Sequence, residues 1–330
     1  MQKPVPGCTI ALLLLACILL ASPGCVAGKS KRGHDDVAGN TTWPGSHDIY
    51  LTINGSERHY VAHVPLRKAD DLPLVIALHG AGGSSSAMIA ETGWADKGEA
   101  EGFVTVFPDA LAVDLARRPS FLLNPRIWND GSGRGRKDPD VNDDVEFIGR
   151  IIDDMVTNYS VDPGRVYITG LSNGGSMTFR AAAGLSGRIA AIGIVSSICY
   201  VSPEGLESPV PMIYLLGTRD PINTINGGRI RTPWGAYEDK PPVNDSITRW
   251  VILLNASPVP EAIAGRDGIY AVRYSGGREG SAVDYYLIEG AGHVWPGKKS
   301  TLPELMVGPS TDRINATDVI WEFFRDHPGA

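Results

Sequence analysis

The chain has 330 residues, a net charge of -7, and 43% hydrophobic against 20% charged residues. That balance excludes an intrinsically disordered chain. The acidic charge and the lack of any long basic run exclude nucleic acid as a partner, and the length suits one large α/β domain with a buried core.

Residues 1–27 read as a targeting segment. Lys3 gives a positive start, Thr9 to Ser22 is apolar, and Gly24 and Ala27 are small residues suited to cleavage. The apolar run is too short for a membrane anchor. Two outcomes stay open: cleavage after Ala27, or acylation of Cys25 in a degenerate lipoprotein box with Ser22 where an aliphatic residue is usual. Either predicts an exported protein, secreted or periplasmic, and a lipid on Cys25, in the second outcome, is the only membrane contact expected. Cys8, Cys17 and Cys25 all fall in this segment, so Cys199 lacks a disulfide partner and is expected to be a small buried hydrophobe.

Residues 28–46 are polar and glycine-rich, a predicted flexible tether, and 47–327 form the predicted catalytic domain. Two alternating runs, Asp48 to Ile53 and Arg58 to Val64, flank Asn54-Gly55, a hairpin pattern. Continuous apolar runs follow at Leu72–Leu78, Phe103–Phe107, Val166–Thr169, Ile189–Val195 and Pro211–Leu216, which suit strands covered on both faces. Helical periodicity lies at 143–158, 175–183, 243–254 and 316–324, with Asp143 and Glu146 as a capping box for the first. This alternation predicts a mostly parallel sheet flanked by helices, with the N-terminal hairpin as an antiparallel edge.

Gly170-Leu171-Ser172-Asn173-Gly174 joins a predicted strand to a predicted helix. A chain reversing that sharply crowds the positions two before and two after the serine, so both need glycine, and the serine hydroxyl is left exposed at a helix N-terminus. The bare pattern would arise by chance about 0.3 times in such a composition, and its strand-to-helix setting is what gives it weight. An α/β-hydrolase fold is the expectation, with Ser172 as nucleophile. In that fold the acid and then the histidine follow the nucleophile in the chain. Only His293 and His327 lie after Ser172, and His327 is beyond the last predicted helix. His293, in a glycine-rich loop after the strand Tyr285–Ile288, is the expected base. Asp220, just after the strand ending at Leu216, is the expected acid; Asp239, Asp245, Asp267 and Asp284 are the less well-placed alternatives.

Acyl transfer also needs two amide donors for an oxyanion. Asn173 and Ala81, the latter in the loop His79-Gly80-Ala81-Gly82-Gly83, are the expected donors, with His79 structural. Trp128, Trp234 and Trp295 lie in predicted loops and could wall a substrate pocket or plug the core. Of these, Trp128 and Trp295 are the assigned substrate-binding residues. The stretch 222–242 is a predicted rim or lid. The seven histidines form no HExxH pair and the chemistry requires neither metal nor organic cofactor.

Together these residues resemble the family of secreted poly(3-hydroxybutyrate) depolymerase-like esterases, which includes feruloyl and acetylxylan esterases. The resemblance covers roughly 47–327. It runs through Leu78-His79-Gly80, Ile127-Trp128-Asn129, Asn142-Asp143-Asp144-Val145, Gly170 to Gly175, Gly217-Thr218-Arg219-Asp220-Pro221 and Gly292 to Gly297. Ala81 departs from it, standing where family members commonly carry cysteine. The resemblance implies Ser172, Asp220 and His293 as a triad, and acyl-ester hydrolysis of plant cell-wall or hydroxyalkanoate esters as the reaction. Acyl transfer to an alcohol, and a non-catalytic binding protein on the same scaffold, are the rival expectations.

Overall fold

The chain enters the fold through a hairpin of two nine-residue strands, β1 (Gly45–Ile53) and β2 (Ser56–Val64). Asn54 and Gly55 turn it with φ of 48° and 76°, the left-handed pair a tight hairpin demands. β1 begins inside the predicted tether, because Gly45 and Ser46 already pair with Val64 and His63. The computed structural model describes residues 44–66, 70–135, 143–202, 206–263, 265 and 267–329. The predicted targeting segment, residues 28–43 of the tether, Cys25 and Asn142 lie outside the described residues.

Next come β3 (Leu72–Leu78), α1 (Ser85–Thr92), α2 (Trp94–Glu101), β4 (Val104–Pro108), α3 (Asp144–Asn158), β5 (Val161–Leu171), α4 (Asn173–Gly184), β6 (Ala191–Val195) and β7 (Met212–Gly217). A small antiparallel pair, β8 (Gly228–Arg231) with β9 (Tyr237–Lys240), precedes α5 (Val243–Leu254). The chain closes with β10 (Glu261–Ala262), β11 (Ile269–Tyr274), β12 (Val283–Ile288), α6 (Glu304–Val307) and α7 (Ala316–Asp326). The main sheet has ten strands in the order β1-β2-β4-β3-β5-β6-β7-β12-β11-β10. From β4 to β12 every neighbouring pair is parallel, and the strands beyond them on both sides are antiparallel. The predicted antiparallel edge is therefore present, and β10–β11 forms a second one.

The parallel strands are buried on both faces, which explains their unbroken apolar runs. Leu74, Ile76, Ile168, Ile192 and Tyr214 pack against Phe147, Ile151, Met177 and Trp250 of α3, α4 and α5. Their alternate neighbours Val75, Ala77, Tyr167, Ile213 and Leu215 pack on the other side against Trp94 of α2 and Trp321 and Phe324 of α7. Cys199 is buried as expected, and burial pushes its thiol up to about 11.

Asp143 caps α3 by accepting from the Glu146 N–H at 3.0 Å. The Glu146 carboxylate accepts from Asn54 Nδ2 at 3.1 Å, so it ties the hairpin turn to α3. The strand directions matter most for function: β3, β5, β7 and β12 run parallel, so the loops after them emerge at one sheet edge, where α/β sheets hold their ligands.

Candidate active site

Ser172 is the single residue between β5 and α4, with φ 57° and ψ -123°. A non-glycine residue in that region is strained, and surrounding contacts hold it there. Its N–H donates to the Val195 carbonyl at 3.0 Å and its carbonyl accepts from Ser197 Oγ at 2.6 Å. A Cβ at Gly170 would lie 2.4 Å from the Gly174 carbonyl carbon, and one at Gly174 would lie 2.2 Å from the Leu78 carbonyl oxygen. Only glycine at both positions lets the turn close onto β3.

The residue after Ser172 is fixed as firmly. Asn173 is buried; its Oδ1 accepts from the Trp128 N–H at 2.8 Å and its Nδ2 donates to Asp130 at 2.7 Å. Thus the first turn of α4 is anchored to the 128–130 loop.

Asp220 and His293 meet. The distance from His293 Nδ1 to Asp220 Oδ2 is 2.8 Å, and both residues are buried. Asp220 Oδ1 accepts from the N–H groups of Ile222 and Asn223, each at 2.8 Å, which fixes the carboxylate plane. The two loops are joined by backbone, the Arg219 N–H donating to Ala291 O at 2.8 Å, and the His293 loop is tied to α6 by the His293 N–H donating to Val307 O at 2.5 Å. Glycine permits this approach, since a Cβ at Gly217 would lie 2.2 Å from the Ala291 carbonyl oxygen. Two of the rival residues are engaged elsewhere. Asp284 holds Arg273 through two hydrogen bonds of 2.6 and 2.7 Å, and His327 Nδ1 lies 2.8 Å from the Phe323 carbonyl oxygen.

His79 and the glycine loop after it face Ser172 across the site. In the loop the Gly82 N–H donates to Arg126 O and the Gly83 N–H to Gly80 O, so two of its amides are already spent internally. His79 Nδ1 lies 2.7 Å from Gly80 O, and its Nε2 accepts from the Ala110 N–H at 3.1 Å. That pattern needs the neutral ring with the proton on Nδ1, and burial lowers its pKa from 6.5 to about 4. His79 is therefore the structural pin of the loop that the sequence suggested.

The sign of its pH effect follows. The unfolded chain takes up this proton near pH 6.5 while the folded one refuses it until about pH 4, so the stabilisation is complete above 6.5 and is lost as pH falls toward 4. Between pH 7 and 4.5 this side chain is expected to remove about 2–3 kcal/mol of folding free energy. His59, raised chiefly by its hydrogen bond to Asp109, works in the opposite direction. Urea titrations of the parent and of His79→Gln at both pH values separate the two: the variant should show the shallower pH dependence.

Ser172, His293 and the Gly80–Gly83 loop line one cavity of about 600 Å³. Its other lining residues include the apolar Met88, Leu302 and Val307 and the charged Arg134, Glu238 and Lys240. Two of the expected substrate contacts are not there. Trp128 is 0% exposed, and its indole N–H donates to the His79 carbonyl at 2.8 Å. Trp295 is 2% exposed, lies edge-on to Trp94, and donates to Thr317 Oγ1 at 3.0 Å. Each indole finds its polar partner inside the core, so both act as core plugs. Trp234 does line the cavity, together with Phe121, which the sequence reading missed. Their rings lie 5.4 Å apart and the Trp234 indole N–H donates to Phe121 O at 2.7 Å. They rest on Gly82, where a Cβ would lie 2.6 Å from the Phe121 ring. Trp234 belongs to the β8–β9 segment, so the predicted rim at 222–242 does border the cavity.

Among solved structures, an acetyl xylan esterase from Aspergillus awamori superposes with a TM-score of 0.53 over 75% of this chain and 94% of its own, at 15% identity. The chain has the α/β-hydrolase fold. No protein-family model matches the chain. Its curated relatives include NocK of Nocardia uniformis subsp. tsuyamanensis, a protein named an esterase, at 25% identity over 83% of this chain and 80% of the relative. They also include a bifunctional acetylxylan esterase/xylanase of Neocallimastix patriciarum, 26% identical over 64% of this chain. Poly(3-hydroxyalkanoate) depolymerase C of Paucimonas lemoignei is 30% identical over 51% of this chain. The chain spans 30% of the length of the Neocallimastix protein and 34% of the depolymerase. The resemblance to feruloyl, acetylxylan and polyhydroxyalkanoate esterases thus extends to its curated relatives.

Proposed function

We propose that this protein is an exported serine carboxylesterase that hydrolyses carboxylic esters through an acyl-enzyme. The observation that carries the proposal is the buried 2.8 Å Asp220–His293 hydrogen bond opening on the same cavity as the left-handed Ser172. Export rests on the leader-like residues 1–27 alone.

Asp220 holds the imidazole proton on Nδ1, which leaves the Nε2 lone pair to receive the Ser172 hydroxyl proton. Oγ then attacks the ester carbonyl, and the amides of Asn173 and Ala81 stabilise the oxyanion. The Gly82 and Gly83 amides are engaged with Arg126 and Gly80, which favours Ala81 as the loop donor. His293 returns the proton to the departing alcohol, then activates a water that releases the acid and restores Ser172. A cavity of about 600 Å³ exceeds the needs of an acetyl group. An aromatic or oligomeric ester, of the feruloyl or hydroxyalkanoate kind, is therefore the proposed substrate class, with the Phe121–Trp234 pair as its aromatic wall.

A fluorophosphonate probe should label the protein at a single site that peptide mapping assigns to Ser172, and His293→Ala should suppress the labelling. An unlabelled protein, or adducts on another serine, would reject the reading.

A further inference from the structure

The rim of the cavity differs from the rest of the surface. Leu115, Leu122, Leu123, Trp234, Tyr237 and Leu305 are six of the twelve large apolar side chains that the described residues leave exposed. All sit on three short segments that supply the cavity mouth. Pro119, Ser120 and Phe121 line it from the first, Thr232 to Trp234 from the second, and Ser300 to Leu302 from the third. Leu122, Leu123 and Leu305 are 66%, 77% and 98% exposed. A cluster of projecting leucines around one opening marks an interaction surface rather than the scattered apolar exposure of an ordinary monomer.

The charges on the same segments point to the partner. Arg117, Arg118, Arg229, Arg231 and Lys299 are exposed there, against exposed Asp114, Asp239 and Glu304. The mouth is thus positive on a chain of net charge -7. Arg229 lies over the Tyr237 ring at 5.3 Å, a cation held on an aromatic face. Leucines interleaved with arginines match a surface that is apolar inside and anionic at its boundary. A neutral polymer would use the leucines and leave the cations without a counterpart.

We infer that the cavity mouth docks on an anionic phospholipid surface, with Leu122, Leu123 and Leu305 entering the headgroup layer and Arg117 and Arg118 meeting lipid phosphates. The docked protein turns its cavity toward the lipid, so esters dissolved in or lying on the membrane reach Ser172 without crossing bulk water. The docking goes beyond the esterase reading and does not depend on Ser172 being the nucleophile, whereas the delivery of esters to Ser172 rests on that reading.

Amide hydrogen exchange on the full chain tests it locally, because peptides from the mouth report separately from the leader. Vesicles of mixed phosphatidylcholine and phosphatidylglycerol should protect the peptides covering 111–126 and 298–307, and phosphatidylcholine alone should not. High salt should remove the protection. Arg117→Gln with Arg118→Gln should weaken vesicle binding about 25-fold, at about fivefold per basic residue. That variant should hydrolyse a soluble ester at the parental rate, since neither arginine lines the cavity. Ser172→Ala should keep the protection, which separates failure of docking from failure of the esterase reading. Equal protection by neutral vesicles, protection only by neutral polyester particles, an unaltered double variant, or no protection at all would each overturn the inference.

Discussion

Replacing Ser172 by alanine is expected to lower kcat against p-nitrophenyl butyrate by roughly 10⁵- to 10⁶-fold while KM stays close to the parental value. In the proposed mechanism, removing the hydroxyl removes the attacking atom, but the cavity and the amides of Asn173 and Ala81 remain. A residual rate above that of water, from oxyanion stabilisation and binding alone, should therefore survive. Ser172→Gly should be equally inactive yet more stable. The backbone at φ 57° and ψ -123° stores strain that glycine relieves, about 1–3 kcal/mol for a residue held in such a region. The extra unfolded-chain freedom of glycine returns about 0.5–1 kcal/mol of that. A net gain on the order of 1 kcal/mol in urea titration, with activity lost, would identify Ser172 as a position kept strained for its chemistry. Turnover persisting in both variants would remove Ser172 from the reaction.

Much of this arrangement was legible because the fold and the site use the same physical constraints. The buried parallel strands announce themselves as apolar runs, and a strand-to-helix turn that needs glycine at 170 and 174 leaves its own mark. Asp220 and His293 could be placed from their positions after apolar strands, although 73 residues separate them. What was illegible depends on long-range packing. Trp128 and Trp295 sit in irregular chain, which resembles a pocket wall until the polar partners of their indoles, His79 O and Thr317, are seen. Phe121 lies among exposed leucines with no periodicity, and only the fold brings it to Trp234 and Gly82. α2 is weakly amphipathic and carries Gly98, where a Cβ would lie 2.8 Å from the Phe103 carbonyl oxygen. Close packing selects that glycine against its poor helix propensity. β11, with exposed Tyr270 and half-buried Arg273 among its six residues, lacks the unbroken apolar run of the buried strands, and it forms by pairing with β12 at the sheet edge.

Asp220→Asn is expected to cost about 10⁴-fold in kcat with the fold intact, because the two oxygens of this carboxylate do different work. Oδ1 accepts from two backbone amides, those of Ile222 and Asn223, and an amide NH₂ cannot accept from either. The asparagine must therefore keep its carbonyl oxygen on those amides and turn its NH₂ toward His293 Nδ1. Nδ1 then has to accept, the ring proton moves to Nε2, and the nitrogen facing the cavity loses the lone pair needed by the serine proton. The opposite rotamer would set NH₂ against two N–H donors in a buried site, at a cost of several kcal/mol. The substitution thus changes one proton's address while leaving the loops after β7 and β12 joined through Arg219 and Ala291. ¹⁵N spectra of histidine-labelled protein should show His293 protonated at Nδ1 in the parent and at Nε2 in the variant. A variant within tenfold of parental kcat, or with an unchanged ring tautomer, would mean that Asp220 holds the loop and does not orient the base.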